Sequence, residues 1–193
     1  MGADGSAPPV PGPSPRNGER HDMKKTALTL AFLVAWMFTV PMAWAQKSAD
    51  AEHAELAKAL RDAKISLQRG LTASTKEGKP ISAKYEVEHG KLQLSVYTMK
   101  GEKFSEVIVD HKTGKVAKAE PITSGDDLTA AKAQSEAMAK AKRSLDAAAS
   151  EAVKENKGYR VVSVMPALKD GHPVADVTLV KGTEWKTVAE KLD

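Results

Sequence analysis

The chain has 193 residues, with 29 Lys and Arg against 25 Asp and Glu, and no cysteine. The missing thiols exclude disulfides, thiolate metal sites and cysteine nucleophiles, so stability must come from an apolar core alone. The net charge of +4 comes from interspersed residues; no Arg-rich groove is interleaved with aromatics, which argues against nucleic acid as a partner.

Residues 1–22 hold Pro8, Pro9, Pro11, Pro13 and Pro15 among Gly and Ser. Such a stretch cannot bury apolar surface and is expected to be disordered. Met23 then opens a different pattern. Lys24 and Lys25 are followed by the apolar run Ala27 to Val40, then Pro41 and the tripeptide Ala43-Trp44-Ala45. A basic start, an apolar stretch and small residues before a cut are the layout of a secretory signal peptide. Cleavage is expected between Ala45 and Gln46. Translation is then expected to start at Met23, with residues 1–22 an upstream segment from a wrongly assigned start. A retained anchor would need about 20 mainly apolar residues. Thr26 to Trp44 nearly reaches that, but Pro41 breaks its end and no basic residue flanks it until Lys47. Removing residues 1–45 leaves 25 basic and 22 acidic side chains, about +3. The remaining chain is expected to be periplasmic or secreted, with no stable membrane anchor.

The exported part begins with a helix. Leu56, Leu60, Ala63, Leu67 and Leu71 recur at steps of three and four and share one helical face. Ser48 or Asp50 can cap its start, and Gly78 and Pro80 end the connection. Strands follow from Ile81 to Val107, with turns at Gly90 and Gly101, where tight hairpins need positive φ. Ile81, Ala83, Tyr85 and Val87 share a face, and Leu92, Leu94 and Val96 form another stripe. A constant shift of 81 carries this segment onto a second one. Gly90 falls on Gly171, Lys100-Gly101 on Lys181-Gly182, Phe104 on Trp185, Val96 on Val177, Val107 on Val188 and Ile81 on Val162.

Between the two lies a second helix, from Asp126 or Asp127 to about Asn156, with Gly158 as its stop. Leu128, Ala131, Met138, Leu145, Ala149 and Ala152 form its buried stripe. At about 28 residues it exceeds what one small sheet needs. It either breaks near Arg143, bridges the two halves or is partly frayed. Val162, Val164, Ala175, Val177 and Leu179 line the second set of strands, which Pro166 and Pro173 interrupt. Because proline cannot donate to a ladder, that first hairpin is expected to be irregular or at a sheet edge. Hairpin-linked strands with helices on one face give an α+β fold. It is expected as two tandem helix-plus-antiparallel-meander repeats, residues 46–123 and 124–193.

The segment Val107-Ile-Val-Asp110-His-Lys-Thr113-Gly114-Lys115-Val116 adds a further turn. Asp110 can accept from backbone amides two residues on, Gly114 takes positive φ, and Val116 returns the chain to the sheet as a short fourth strand. With the helix and meander before it, this ending resembles the PepSY domain, over residues 50–122. The second half is a weaker copy that lacks the Thr-Gly-Lys turn. The resemblance implies a protein-binding or regulatory module. Such domains occur in propeptides that inhibit their own peptidase, in exported proteins, and beside membrane oxidoreductases and sensor kinases. It brings no catalytic residues.

Read alone, the residues point to no enzyme. His53, His89, His111 and His172 form no His-Glu-x-x-His and no i, i+4 pair, and no Gly-x-Ser-x-Gly elbow or phosphate-binding glycine loop is present. No metal or cofactor is called for. Phe104 and Trp185 are expected to pack beneath their helices, with Trp185 as an exposed partner anchor the alternative. The expected function is a non-catalytic envelope protein that binds and modulates a peptidase or other envelope partner. The alternative is a small-molecule, metal or haem sensor or carrier.

Overall fold

The computed structural model describes residues 42–193. The basic and apolar parts of the expected signal lie outside them, while Ala45 and Gln46 fall near the start of the first helix. The chain runs α1 (Met42–Ala59), a 3-10 turn (Leu60–Asp62), α2 (Leu67–Ser74), β1 (Lys79–Glu88), β2 (Lys91–Lys100), β3 (Lys103–Val109) and β4 (Val116–Ile122). It continues through α3 (Gly125–Lys140), α4 (Leu145–Glu155), β5 (Arg160–Lys169), β6 (His172–Lys181) and β7 (Glu184–Lys191). The fold is α+β: the described residues form four α-helices and one seven-stranded antiparallel sheet in the order β4-β3-β2-β1-β5-β6-β7.

The hairpin glycines work as their positions suggest. Gly90, Gly101, Gly171 and Gly182 all have positive φ, between 62° and 80°, the region that costs other residues most. The two arms of the sheet use matching registers. Ala83 pairs with Val96 and Val164 with Val177; Val96 pairs with Val107 and Val177 with Val188; Met99 faces Phe104 and Val180 faces Trp185. Bulges fall at Pro80/Ser82 and at Val161/Ser163. All of these are 81 residues apart. The arms meet in a narrow seam, where β1 pairs with β5 only at Ala83↔Val164 and Lys84↔Ser163.

One apolar cluster spans both arms, with Leu67 and Leu71 of α2, Leu145 and Ala149 of α4, and Val96, Val107, Val164 and Val177 of the strands. Gly70 of α2 lies directly on Leu94 of β2, so α2 covers the face that carries Leu94 and Val96.

Four expectations need correction. The first helix is not continuous from Leu56 to Leu71. It breaks at Ala63–Ser66, where the Lys64 and Ile65 amides donate to the His111 carbonyl at 2.9 and 3.2 Å instead of to the helix. Ser66 then caps α2 by accepting from the Arg69 amide at 3.2 Å. The second helical region breaks in the same way at Ala141–Ser144. Lys142 and Arg143 donate to the Leu192 carbonyl at 2.7 and 2.9 Å, and Ser144 caps α4 through the Ala147 amide at 3.1 Å. This is the break near Arg143, one of the alternatives left open by the sequence.

The caps also shift. Because α1 starts at Met42, Ser48 and Asp50 lie inside it; because Ser124 holds the N-cap position of α3, Asp126 and Asp127 stand in its first turn. There their charge favours the helix dipole.

Third, the helices do not share one face. Ser82, next to the core residue Ala83, points to the opposite side of the sheet, and its hydroxyl donates to Gln134 Oε1 of α3 at 2.7 Å. The same Gln134 amide contacts Met165 Sδ. Helix α3 thus crosses the seam on the side opposite α2 and seals both flanks of the narrow β1–β5 pairing.

Fourth, the β5–β6 hairpin is neither irregular at its prolines nor at an edge. Its register runs unbroken from Ser163↔Thr178 to Lys169↔His172, with Pro166 opposite Ala175 and Pro173 opposite Leu168. Pro166 is tolerated because β1 has already diverged there, so no ladder needs its missing N–H.

Candidate binding surface

The turn that carries the family resemblance is a fastening inside the fold. The Asp110 carboxylate accepts from the Lys112 and Thr113 amides at 2.9 and 2.7 Å. Those bonds hold its carboxyl below the usual carboxylate range. Gly114 is buried with φ 74°, and its amide donates to the Asp110 carbonyl at 2.8 Å; the Asp110 amide donates to Lys115 O at 2.9 Å. Thr113 Oγ1 accepts from the Lys115 amide at 3.4 Å. The turn so formed presents the His111 carbonyl to the helix break at Lys64 and Ile65. Its local bonds thereby set where α2 begins.

Trp185 is half-buried, and one face of its indole stacks on His53 of α1, with centroids 4.2 Å apart and planes 14° from parallel. Phe104, its counterpart, is buried with Met99 and Ile122 as cross-strand neighbours. The four histidines among the described residues form no cluster. His53 stacks on Trp185, His89 sits exposed in a hairpin with φ 50°, and His172 Nδ1 lies 3.1 Å from Asp193 Oδ2. His111 Nδ1 is buried without a hydrogen-bond partner. Among the described residues, no group of three or more His, Asp or Glu is placed to hold a metal ion. No helix among them is long and apolar enough to cross a membrane.

The chemistry that does converge lies on the side of β1, β2 and β3 facing away from α2. Cross-strand register aligns Lys84 with Ser95, Glu86 with Gln93 and Tyr97 with Glu106. Lys84 Nζ pairs with Glu86 Oε2 at 2.6 Å. The Ser95 hydroxyl donates to Glu86 Oε1 at 2.7 Å, and Gln93 Nε2 donates to Ser95 Oγ at 3.0 Å. Lys84 also lies 5.8 Å from the centre of the Tyr97 ring, within reach of a cation–π attraction.

These groups are partly buried, Ser95 completely, on the face that α3 also crosses, and their acidities record it. Burial pushes the Tyr97 phenol up to about 12, against the pull of Lys84. Burial likewise raises Glu106, with Ser95 opposing. Burial disfavours the Lys84 ammonium, yet the hydrogen bond to Glu86 and the pull of Tyr97 and Glu86 together more than offset this and hold it above the ordinary lysine value. The result is a neutral phenol set in a pre-ordered polar network on a sheet face. Such a surface can hydrogen-bond a partner at low ordering cost, and tyrosine is enriched where interfaces concentrate binding energy.

The outer edge of this arm is guarded. β4 is exposed along most of its length, and it carries the Lys118–Glu120 ion pair and Pro121, which discourage strand addition. The polar network was not singled out from the sequence, because a polar strand face reads the same whether it meets water or a partner. The one available signal is the density of Lys84, Glu86, Gln93, Ser95, Tyr97 and Glu106 at alternating positions of neighbouring strands.

No protein-family model matches the chain, and no curated protein matches it. A solved structure described as a "putative lipoprotein" from Clostridium difficile 630 aligns with 61% of this chain and 78% of its own, at 12% identity and a TM-score of 0.38. At that score the match carries no weight for function.

Proposed function

We propose that the chain is an exported, non-catalytic binding protein of a bacterial envelope that modulates a protein partner, with a peptidase as the first candidate. The observation that carries this reading is the half-buried network around Tyr97, on the sheet face opposite α2 and beside the N-terminal end of α3. Export rests on the signal-like residues 23–45, whose expected cut between Ala45 and Gln46 would trim the start of α1. Kinship with the PepSY domain rests on the helix, the meander and the Asp110–Lys115 turn.

The matching registers 81 residues apart support two copies of one module. So do the paired helix breaks, which carry Ala63-Lys64-Ile65-Ser66-Leu67 and Ala141-Lys142-Arg143-Ser144-Leu145. A tandem of this kind offers an extended surface, and a peptidase would be inhibited sterically by a module seated over its cleft. The test is hydrolysis by exported peptidases of the host in the presence of micromolar protein. Slowed progress curves, restored by Tyr97→Ala, are expected. Peptidases that run at full rate throughout would remove the inhibitor reading.

A further inference from the structure

Two cavities open at matching places in the two arms. Each lies between the helix-break loop of one arm and the helix and first strand of the other. The first, about 310 Å³, is bounded by the loop at 63–68 and by Val153, Tyr159 and Arg160. The second, about 370 Å³, is bounded by the loop at 141–146 and by Leu71, Thr75, Lys79 and Pro80. Shifts of 78 along the helices and 81 along the strands carry one onto the other.

The side chains at matching positions differ in a consistent direction. In the first cavity Arg160 donates to the Leu60 carbonyl at 2.8 Å and to the Ile65 carbonyl at 3.2 Å. The Tyr85 hydroxyl donates to the same Ile65 carbonyl at 2.8 Å, and Arg160 lies over the Tyr85 ring at 5.6 Å. Those groups use the loop's hydrogen-bonding capacity internally. In the second cavity Lys79 stands at the position of Arg160, Pro166 at that of Tyr85 and Gly78 at that of Tyr159. Lys79 makes one long contact, 3.4 Å to the Met138 carbonyl. With the phenol and guanidinium gone, the lining is left apolar, built from Leu71, Pro80, Met138 and Leu145. Lys79, Lys142 and Arg143 border it, against Asp146 alone; the Arg143 guanidinium also donates to the Lys191 carbonyl at 2.9 Å, which leaves the Lys79 and Lys142 ammonium groups as the readier partners.

We propose that this second cavity is a binding site for an apolar chain ending in an anionic group, of the class of medium-chain carboxylates. Its size falls at the small end of the ~300–1,000 Å³ typical of ligand pockets, which pair an apolar lining with a few placed polar groups. The apolar lining takes the chain, and the cations that border it, Lys79 and Lys142 foremost, select an anionic head over a neutral or cationic one. The site is separate from the Tyr97 surface, and the two proposals stand independently.

The test is titration of the isotope-labelled full chain with sodium dodecanoate below its micelle threshold, followed by backbone amide shifts in the NMR spectrum. Residue resolution separates this site from any contact with the apolar segment at 27–40. Saturable shifts are expected at Thr72, Lys79 and residues 141–146, with residues 66–68 of the other cavity unmoved. Dodecyltrimethylammonium should bind more weakly. Lys142→Glu changes an exposed side chain and keeps the backbone bond to Leu192; it should weaken dodecanoate by about fivefold, the scale of one exposed charge contact. Thr75→Trp should fill the cavity and abolish the shifts. The proposal is overturned if shifts do not saturate, if both cavities respond alike, or if the cationic amphiphile binds as well as dodecanoate.

Discussion

Gly70 tests how closely α2 is seated on the sheet. A methyl group at this position would stand 2.5 Å from Leu94 Cδ2 and 3.2 Å from Leu94 Cγ. In an exposed helix, replacing glycine by alanine stabilises by about 1 kcal/mol, because glycine loses more backbone freedom on folding. Here the methyl meets a side chain that is fully buried, and moving Leu94 pushes it into the strand core. Overpacking of that kind costs about 1–3 kcal/mol. The clash therefore wins, and Gly70→Ala should destabilise by about 1 kcal/mol, or about 2–4 °C in Tm for a domain of this size. Leu94→Ala alone should cost about 2–5 kcal/mol. In the double variant the new methyl occupies part of the vacated space, so the two effects should fall short of additivity by about 1 kcal/mol. Urea unfolding of the four proteins, followed by circular dichroism, measures all of this. A stabilising Gly70→Ala, or strict additivity, would refute the described packing of α2 on β2.

Arg160 ties the second arm to the first through the Leu60 and Ile65 carbonyls. Arg160→Ala should cost about 2–4 kcal/mol, since hydrogen bonds from charged groups contribute about 1.5–3 kcal/mol each and this one is partly exposed. A loss below about 0.5 kcal/mol in the same urea assay would show that the arms do not depend on it. Glu190 is buried in β7, and burial, reinforced by Glu155, raises its pKa. The folded state then holds this proton more tightly than the unfolded chain, so stability falls as pH rises through the window between the ordinary carboxylate value and the raised one. Glu190→Gln should melt higher than the parent at neutral pH, with the gap closing as pH drops to the ordinary carboxylate range; a gap independent of pH would contradict the assignment. Asp110 has the opposite sign. Its lowered pKa gives stability that is present above the ordinary carboxylate range and lost as pH falls through the folded value. Asp110→Ala should therefore lower Tm at neutral pH and flatten the acid limb of a Tm–pH profile.

The strands were legible because their signals are local. Gly90, Gly101, Gly171 and Gly182 mark turns that need positive φ, and alternation along Ala83–Val87 and Ala175–Leu179 marks the buried face. The first helix break was not legible from periodicity, whereas the second was one alternative that the length of its helical stretch left open. Leu60, Ala63, Leu67 and Leu71 fit a continuous helix, and no Gly or Pro falls at the break itself, Ala63–Ser66. The break is imposed from a distance by the carbonyl of His111, as the second is by Leu192. Its local trace is a capping serine before a leucine, Ser66-Leu67 and Ser144-Leu145. Nor does an apolar stripe say which side of a sheet it covers. Ala131 and Met138 of α3 looked equivalent to Leu67 and Leu71 of α2, yet Gln134 meets Ser82 and Met165 on the opposite face. The polar network around Tyr97 stayed hidden for a related reason: its members become buried only when three strands align and α3 packs on the same face. Of the residues the sequence singled out, the Asp110–Lys115 turn takes a structural place. Trp185 is neither fully core nor free, since His53 covers one of its faces.

The most direct test of a protein-binding role is paired affinity capture from envelope extract, using the parent chain, Tyr97→Ala and Lys154→Ala. Lys154 is an exposed α4 residue whose ion pair to Glu151 lies far from the network in sequence. Binding through the Tyr97 face predicts a partner enriched equally by the parent and by Lys154→Ala, and lost with Tyr97→Ala while that variant still melts cooperatively. Retention of the same proteins by all three baits, or of nothing above a control protein, would contradict it.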